Sequence, residues 1–551
     1  MAERAVREWP LRRTSDELRA RYLRSGLWTD ETLGTYLDGA IRAHAHDRFR
    51  IWSDVRPDDL TLGTLLDRAH RLAAGLAAHG IGPGDVAAFQ LPNWTEAAVT
   101  FFGLALLGVV VVPIVGHYGS KEVGFALRES RARAFVTADR FKRLDYLANL
   151  ETLRPSLPDL ELAVVLRTGD GALPAWALPF ERLSDASPMA APAKVDPDAP
   201  AVIGYTSGTT ADPKGVIHTH RSLLAEIRQL AAIQLEGDRP NLIGAPVAHA
   251  IGMLGGLLLP IHRGQAVHLT DQWNADVVLD AMLHDDLVAG SGATVFLLSL
   301  IDNPRFTRAH AEKMRWLGLG SAPVPVAVAD RAEELGIAIS RVYGSTEHPS
   351  TTGSPPTDPR DKRTRTDGAA LAGVELRVVD ERGRDVPSGV PGEVWSRGPD
   401  LFAGYTDPAL TRDTVDPDGW YASGDIAVLD ADGYLTITDR KKDIIIRGGA
   451  NISAAEIEEL LARMPSVTEV AVVAAPDPRL GERASAFVRL RPGAGAPDLS
   501  DVQLHLEHAG LARQKWPEEL HVVEEFPRTP SGKVKKYELR DRLRAARGSA
   551  R

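Results

Sequence analysis

The chain has 551 residues, 44% of them hydrophobic and 25% charged, with a net charge of −10 and a pI near 5.9. That length exceeds what one hydrophobic core usually organises, so one large unit and at least one smaller one are expected. No Lys/Arg block dominates, which argues against a nucleic-acid partner, and the absence of cysteine excludes disulfides, thiolate zinc sites and cysteine nucleophiles.

The first residues, Met1 to Tyr22, are Arg-rich but interrupted by Glu3, Glu8, Asp16 and Glu17, and they lack the apolar core of a secretory signal. Residues 61–79 predict a helix with Leu65, Leu66, Ala69, Leu72 and Leu76 on one face. Gly80 ends it, and Gly82-Pro83-Gly84 turns the chain into a strand at 86–90. The longest apolar stretch, Leu104 to Val115, falls short of the ~20 residues a membrane span needs, so no span is expected. It holds the end of a helix read over 101–107 and four valines, Val109 to Val112, whose unbroken run predicts a buried parallel strand. Another short strand is read at 163–166. This alternation predicts α/β architecture, a parallel sheet covered by helices on both faces.

Residues 201–205 predict the next strand and 222–232 a helix. A polar loop rich in Thr, Pro and charge is read over 349–368. From Val374 the pattern changes to short alternating strands at 375–379, 393–396 and 434–438, which predict a small antiparallel β-barrel closing the large unit. Beyond Arg440 come a helix at 454–463, strands at 469–474 and 485–490, a helix at 499–508 and a strand at 520–524. The expected division is an N-terminal domain over 1–440 and a smaller, mobile α+β domain over 441–551.

The most informative segment, 205–215, reads Tyr-Thr-Ser-Gly-Thr-Thr-Ala-Asp-Pro-Lys-Gly. With a strand before it and a helix after it, its hydroxyls and backbone N–H groups can cradle phosphate oxygens, and Lys214 adds a point charge. A hydroxyl-rich surface turn is the plain alternative. It is not a Walker A loop, because the lysine precedes the glycine and Val216 follows.

The segment resembles the signature of the adenylate-forming enzymes: acyl-CoA synthetases, peptide-synthetase adenylation domains and firefly-type luciferases. Further matches follow in the family's order: Tyr343-Gly344-Ser345-Thr346-Glu347, Tyr421-Ala422-Ser423-Gly424-Asp425, Asp439 to Asp443 with Arg447 to Ile452, and Pro530-Ser531-Gly532-Lys533. The resemblance implies that Thr206, Ser207, Gly208, Thr209, Thr210 and Lys214 hold the β- and γ-phosphates of ATP. Thr346 would bind the α-phosphate and Glu347 would hold Mg²⁺, a role suited to a carboxylate. Ser321, Ala322, Pro323, Tyr343 and Gly344 would frame adenine, Asp425 would accept from the ribose hydroxyls, and Arg440 would lie beside them. Lys533 would bridge the acid's carboxylate and the α-phosphate. Without the resemblance it is one of several lysines in a basic stretch. His249 and His348 are tempting general bases, but an acyl-adenylate is already activated, so structural roles are expected for both.

Arg447-Gly448-Gly449-Ala450-Asn451-Ile452 is similar to the acyl-CoA synthetase branch, in which Gly448 and Gly449 border the coenzyme A tunnel. Lys442 occupies the hinge position. The sequence ends without a carrier-protein domain, so a standalone cytoplasmic ligase is expected. His249, Ala250, Gly252 and Met253 would line the acyl pocket. A carboxylate is absent there and small residues abound, which disfavours an amino acid. A lipophilic acid is implied instead, whether fatty, alicyclic, aromatic or polycyclic.

Ala211 stands where the family has glycine. If that position needs positive φ, an L-residue costs about 1–2 kcal/mol, and its Cβ would crowd the β- and γ-phosphates. A competing reading is therefore a ligase that performs only thioester formation on an acyl-AMP supplied by a partner enzyme. Ala370 and Ala372 replace two family prolines, a smaller change. A carrier-loading or luciferase-like outcome and a non-catalytic adenylate-binding protein also compete. Retention of Lys533, Glu347 and Asp425 argues against complete loss of chemistry.

Overall fold

The computed structural model describes residues 8–169, 171–206, 213–235, 237–320, 324–448, 450–528 and 533–548. Two sheets pack around a layer of three helices. The first has eight strands in the order 404–405, 214–219, 200–206, 110–113, 86–90, 134–138, 162–166 and 177–179. Its members from 200–206 onward run parallel, and the first two are antiparallel additions. The second has five strands in the order 288–289, 241–243, 267–270, 48–52 and 58–61.

Helices Leu33–Ala43, Leu62–Ala78 and Thr95–Leu106 share one core with Phe49 and Ile51 of the second sheet and Ala87 and Phe89 of the first. Val86, Ala88, Val110 and Val112 face the other way, onto Val123, Ala126 and Leu127 of helix Ser120–Ser130. Strand Val86–Gln90 is buried at every position, as expected between two helical layers; Val86 to Phe89 are apolar, and the one polar side chain, Gln90, donates to Val115 O and Tyr118 O. The helix read at 61–79 is Leu62–Ala78, capped by Thr61, whose side chain accepts from Thr64 N. The helix expected from Phe101 begins at Thr95. Its first turn is buried apart from half-buried Glu96, so only one charged side chain marked its start.

A larger correction concerns the hydroxyl-rich segment. Lys214–Thr219 is a strand, antiparallel to Pro200–Thr206 with Thr206 opposite Lys214, and helix His220–Ala232 begins only after it. Val216 and Ile217, β-branched and fully buried, draw this stretch into the sheet. The helix N-terminus at His220 therefore lies a strand's length away from the paired residues Thr206 and Lys214. The polar stretch 349–368 likewise contains a short helix, Arg360–Arg365, and the strand Thr352–Gly353.

A three-stranded parallel sheet, 292–293, 316–320 and 338–341, leads into Tyr343. The strands after Val374 form a four-stranded antiparallel sheet, 375–379, 392–397, 421–429 and 435–440, and a bridge from Ala369 to Tyr434 ties it to the short pair 352–353 and 369–370. In the C-terminal part, strands 445–447, 450–452, 467–477, 481–490 and 519–522 make one sheet. Helices Ala454–Leu461 and Leu499–His508 cover one face, and Lys536–Gly548 covers the other through Leu539 and Leu543. Both of these cores draw only on residues from Ile445 onward. Among the described residues no helix is long and apolar enough to cross a membrane.

Candidate active site

Three of the expected residues meet at Asp425. Strands Tyr421–Leu429 and Leu435–Arg440 pair antiparallel with Asp425 opposite Arg440, while Tyr343 arrives from the end of the parallel sheet. The Asp425 carboxylate is 3% exposed; one oxygen accepts from Tyr343 Oη at 2.8 Å and the other from Arg440 Nε at 2.6 Å. Burial, and then the negative charge of Asp425, push the Tyr343 phenol well above its usual pKa, so it remains a donor. Both carboxylate oxygens are thus fixed in direction, the arrangement needed to accept hydroxyl hydrogen bonds from a ligand.

Glu347 lies on the same loop as Tyr343. Its Oε1 accepts from Tyr405 Oη at 2.7 Å, and the Lys214 ammonium sits 5.4 Å from the centre of the Tyr405 ring. Tyr405 therefore joins Lys214 to Glu347. Burial and the Glu347 charge raise both the Tyr405 and Tyr421 phenols. The Thr346 carbonyl accepts from His218 Nε2 at 2.7 Å, and the Thr346 methyl packs on the bare backbone of Gly204, where a Cβ would come within 3.2 Å. The strand carrying Gly204 is the one that ends at Thr206.

Sequence reasoning did not find Tyr405 or His218, and it quoted Tyr421 within a motif without giving it a role. The only sequence signal for Tyr405 was an aromatic residue after a glycine between polar segments, which is too common to single out. His348, a tempting base in the sequence, is 1% exposed and turned into the core, bonded to Ser396 Oγ at 2.8 Å and Asp400 Oδ1 at 3.2 Å.

Lys533 comes to this site from the far end of the chain. Its ammonium is half-buried and feels the charges of Arg440, Asp425 and Glu347. Burial first, and then the positive charge of Arg440, lower its pKa to about 8, with Asp425 and Glu347 opposing. His249 is half-buried nearby and is pushed down to about 4 by burial and by the charge of Lys533, so it is a neutral imidazole at pH 7. Lys214, Arg440 and Lys533 give this end of the site a cationic lining suited to a polyphosphate.

A lysine that must be charged to act loses its function as pH rises through its own pKa. The kcat/KM for acid-dependent ATP–pyrophosphate exchange, which reads the free enzyme, should therefore fall above about pH 8. Lys533→Arg should carry whatever activity it retains beyond pH 9. An unchanged alkaline limb in that variant would assign the limb to another group.

Met253 and Gly252, expected in the acyl pocket, are buried at the start of a π-helical turn, Gly252–Leu258, with Met253 inside the main core. His249 N bonds to Pro246 O at 2.8 Å, and Ala250 packs at the core's edge. Lys442 is exposed in the turn between strands 435–440 and 445–447. Gly448 neighbours Leu480 of the C-terminal sheet instead of the Asp425 cluster. Ser207, Gly208, Thr209, Thr210, Ala211, Ser321, Ala322, Pro323, Gly449, Pro530, Ser531 and Gly532 lie outside the described residues.

Residues 40–406 match the family model of the AMP-binding enzymes, and 456–533 match that of the AMP-binding enzyme C-terminal domain. The chain belongs to the AMP-binding enzyme family, and within it to the acid–thiol ligases. It is 35% identical over 528 residues to the medium-chain fatty-acid–CoA ligase of Escherichia coli (strain K12), covering 96% of this chain and 93% of that protein. It is 32% identical over 492 residues to the feruloyl-CoA synthase of an Amycolatopsis species, covering 88% and 94%. Among solved structures, the anthranilate CoA ligase AuaEII in complex with anthranoyl-AMP superposes with a TM-score of 0.85 at 25% identity, covering 95% of this chain and 99% of that one.

Proposed function

We propose that this protein is a carboxylic acid:CoA ligase that activates a lipophilic acid as its acyl-adenylate and passes the acyl group to coenzyme A. The observation that carries the reading is the convergence of Lys533 with Asp425, Arg440 and Glu347, groups from distant parts of the chain. In the first step the acid's carboxylate oxygen bonds to the α-phosphorus of ATP and the bond to pyrophosphate breaks. Lys533 offsets the charge of the two anions that must approach, and Lys214 and the Thr206 end of its strand face the departing pyrophosphate. In the second step the thiol sulfur bonds to the acyl carbonyl carbon, AMP leaves, and the thiol proton passes to solvent.

Asp425 and Tyr343 would hold the nucleoside through both steps. Glu347 would hold Mg²⁺, which takes one or two carboxylates and fills its remaining positions with substrate phosphates and water. A single carboxylate oriented by Tyr405 beside Lys214 fits that demand, and among the described residues no group of three or more potential protein ligands converges. The two units are taken as 1–440 and 441–551, with Lys442 as the hinge that exchanges Lys533 for the Gly448 turn between steps. A lipophilic acid is favoured by the apolar, glycine-rich turn after His249 and by relatives named for a medium-chain fatty acid, ferulate and anthranilate.

The test is mass spectrometry of products formed from ATP, Mg²⁺ and CoA with octanoate, ferulate, anthranilate and indoleacetate. An acyl-CoA from at least one acid is expected. No acyl-CoA from any acid, with the matching synthetic acyl-adenylates also left unconverted, would overturn the ligase reading. Thioester formation from a supplied acyl-adenylate without pyrophosphate exchange would select the one-step ligase suggested by Ala211.

A further inference from the structure

Behind the loop that carries Thr346 and Glu347 lies a buried polar cluster with no direct role in adenylate or thioester chemistry. Glu226, on helix His220–Ala232, and Asp400 are both 0% exposed. Glu226 Oε1 accepts from Ser350 Oγ, and Asp400 Oδ1 accepts from His348 Nε2 at 3.2 Å. The remaining oxygen of each carboxyl, Oε2 of Glu226 and Oδ2 of Asp400, is buried and has no partner if both groups are ionised. The two side chains are nevertheless hydrogen-bond neighbours. Two buried carboxylates cannot bond to each other, but a carboxylic acid and a carboxylate can.

Asp400 is surrounded by basic side chains. Arg12 acts on it electrostatically from the N-terminal segment, and His218 and His348 lie on its other sides, with Glu347 beyond them. Gly398 makes the His348–Asp400 contact possible, because a Cβ there would stand 2.8 Å from His348 Nε2 and 2.9 Å from Asp400 Oδ1. Burial, and then the charge of Asp400, raise the Glu226 carboxyl well above the usual carboxylate range.

We propose that Glu226 and Asp400 share one proton across their facing oxygens and, through Ser350 and His348, act as positioning residues that hold Thr346 and Glu347 in place. One end of the pair grips Ser350 and the other His348, so it spans the stretch from His348 to Ser350 that follows Glu347 on the loop. A single proton lowers the charge of the pair from −2 to −1, and the one negative charge that remains is faced by Arg12, His218 and His348, so this brace can sit in the core.

Two measurements test this, and only the second rests on the ligase reading. Above about pH 4.5, the usual carboxyl value, folding must take up a proton to form the shared pair, so native stability falls as pH rises until the buried acid itself ionises. Gln at 226 can donate to Asp400 and accept from Ser350 without taking up a proton. The melting temperature of Glu226→Gln relative to wild type should therefore climb between pH 5 and pH 8, by on the order of 3 °C. A difference that does not change with pH would overturn the shared proton.

For positioning, Glu226→Ala should lower exchange by about tenfold or more, through kcat, while Glu226→Gln keeps it within about threefold. If Glu226→Ala does not fold, Ser350→Ala takes its place. Equal damage from Ala and Gln, or none from Ala, would overturn the brace. If the wild type shows no exchange with any acid tried, thioester formation from a supplied acyl-adenylate becomes the readout; if that is absent too, the ligase reading fails, and Mg·ATP affinity by calorimetry decides the brace instead. Affinity weakened by Ala and kept by Gln supports it, and equal affinities overturn it.

Discussion

Lys533→Ala should lower acid-dependent ATP–pyrophosphate exchange by roughly 10²- to 10³-fold, the usual cost of losing one preorganised donor to developing charge. Thioester formation from a supplied acyl-adenylate should change by less than about 1 kcal/mol of barrier. The asymmetry follows from where Lys533 sits. Its ammonium lies among Arg440, Asp425 and Glu347, and in the proposed function this is where the carboxylate and the α-phosphate would be brought together against their mutual repulsion. Once the acyl-adenylate exists that repulsion has been overcome, and thiol attack needs CoA access instead. Removing the side chain also removes a half-buried cation, so the fold should not suffer. The two half-reactions, measured separately by isotope exchange and by thioester release, check this. Equal loss in both would show that Lys533 organises the site as a whole instead of serving one step.

Gly344→Ala should be the most damaging small substitution in the large unit, and it should damage both half-reactions. A Cβ at this position would stand 1.9 Å from the Pro349 carbonyl oxygen and 2.5 Å from its carbon. These are backbone atoms of the same loop, so no side chain can swing aside. The loop is also pinned, by Ser345 N to His348 O at 2.9 Å, by the Tyr343–Thr352 bridge, and by Phe402 N to Glu347 O at 2.8 Å. Relief requires the turn to open and carry Tyr343, Thr346 and Glu347 with it. A misplacement of about 1 Å costs on the order of 10²-fold in rate. In the proposed function the adenylate would stay on Tyr343 and Thr346 through both steps, so exchange and thioester formation should fall together, unlike the Lys533→Ala pattern. Retention of either rate within about fivefold, roughly 1 kcal/mol, would show that the loop relaxes without disturbing the site.

Much of the site was readable because its parts are short polar strings with glycine at fixed positions. Tyr343 to Glu347 and Asp425 were found that way, and their mutual contact is an observation of the fold. Elements with a clear period were also readable: strand Val86–Gln90 and helix Leu499–His508 coincide with their sequence reading. What was hidden lacked a local signature. The burial of every residue but Glu96 from Thr95 to Leu106 erased the start of that helix, and Lys214–Thr219 looked like the approach to a helix because one does follow. Tyr405 reaches Glu347 across 58 residues, and Glu226 reaches Ser350 across 124. No window of sequence contains both partners, so these supports become visible only in three dimensions.

The N-terminal segment ties off the large unit. Arg12 Nε donates to Phe402 O at 2.6 Å across 390 residues, Arg12 N donates to Ala403 O at 2.7 Å, and Trp28 Nε1 donates to Pro399 O at 2.8 Å. A ribosome adding about 5–20 residues per second needs roughly 20–80 s to make the 390 residues between Arg12 and Phe402. Through that interval Trp9, Leu11 and Trp28 wait as isolated apolar side chains in a charged stretch of nascent chain, and the central helices and sheets must collapse without them. This segment is thus among the last to dock. The same contacts that finish the back wall of the site make the half-made chain a natural client for a chaperone that binds exposed aromatic segments.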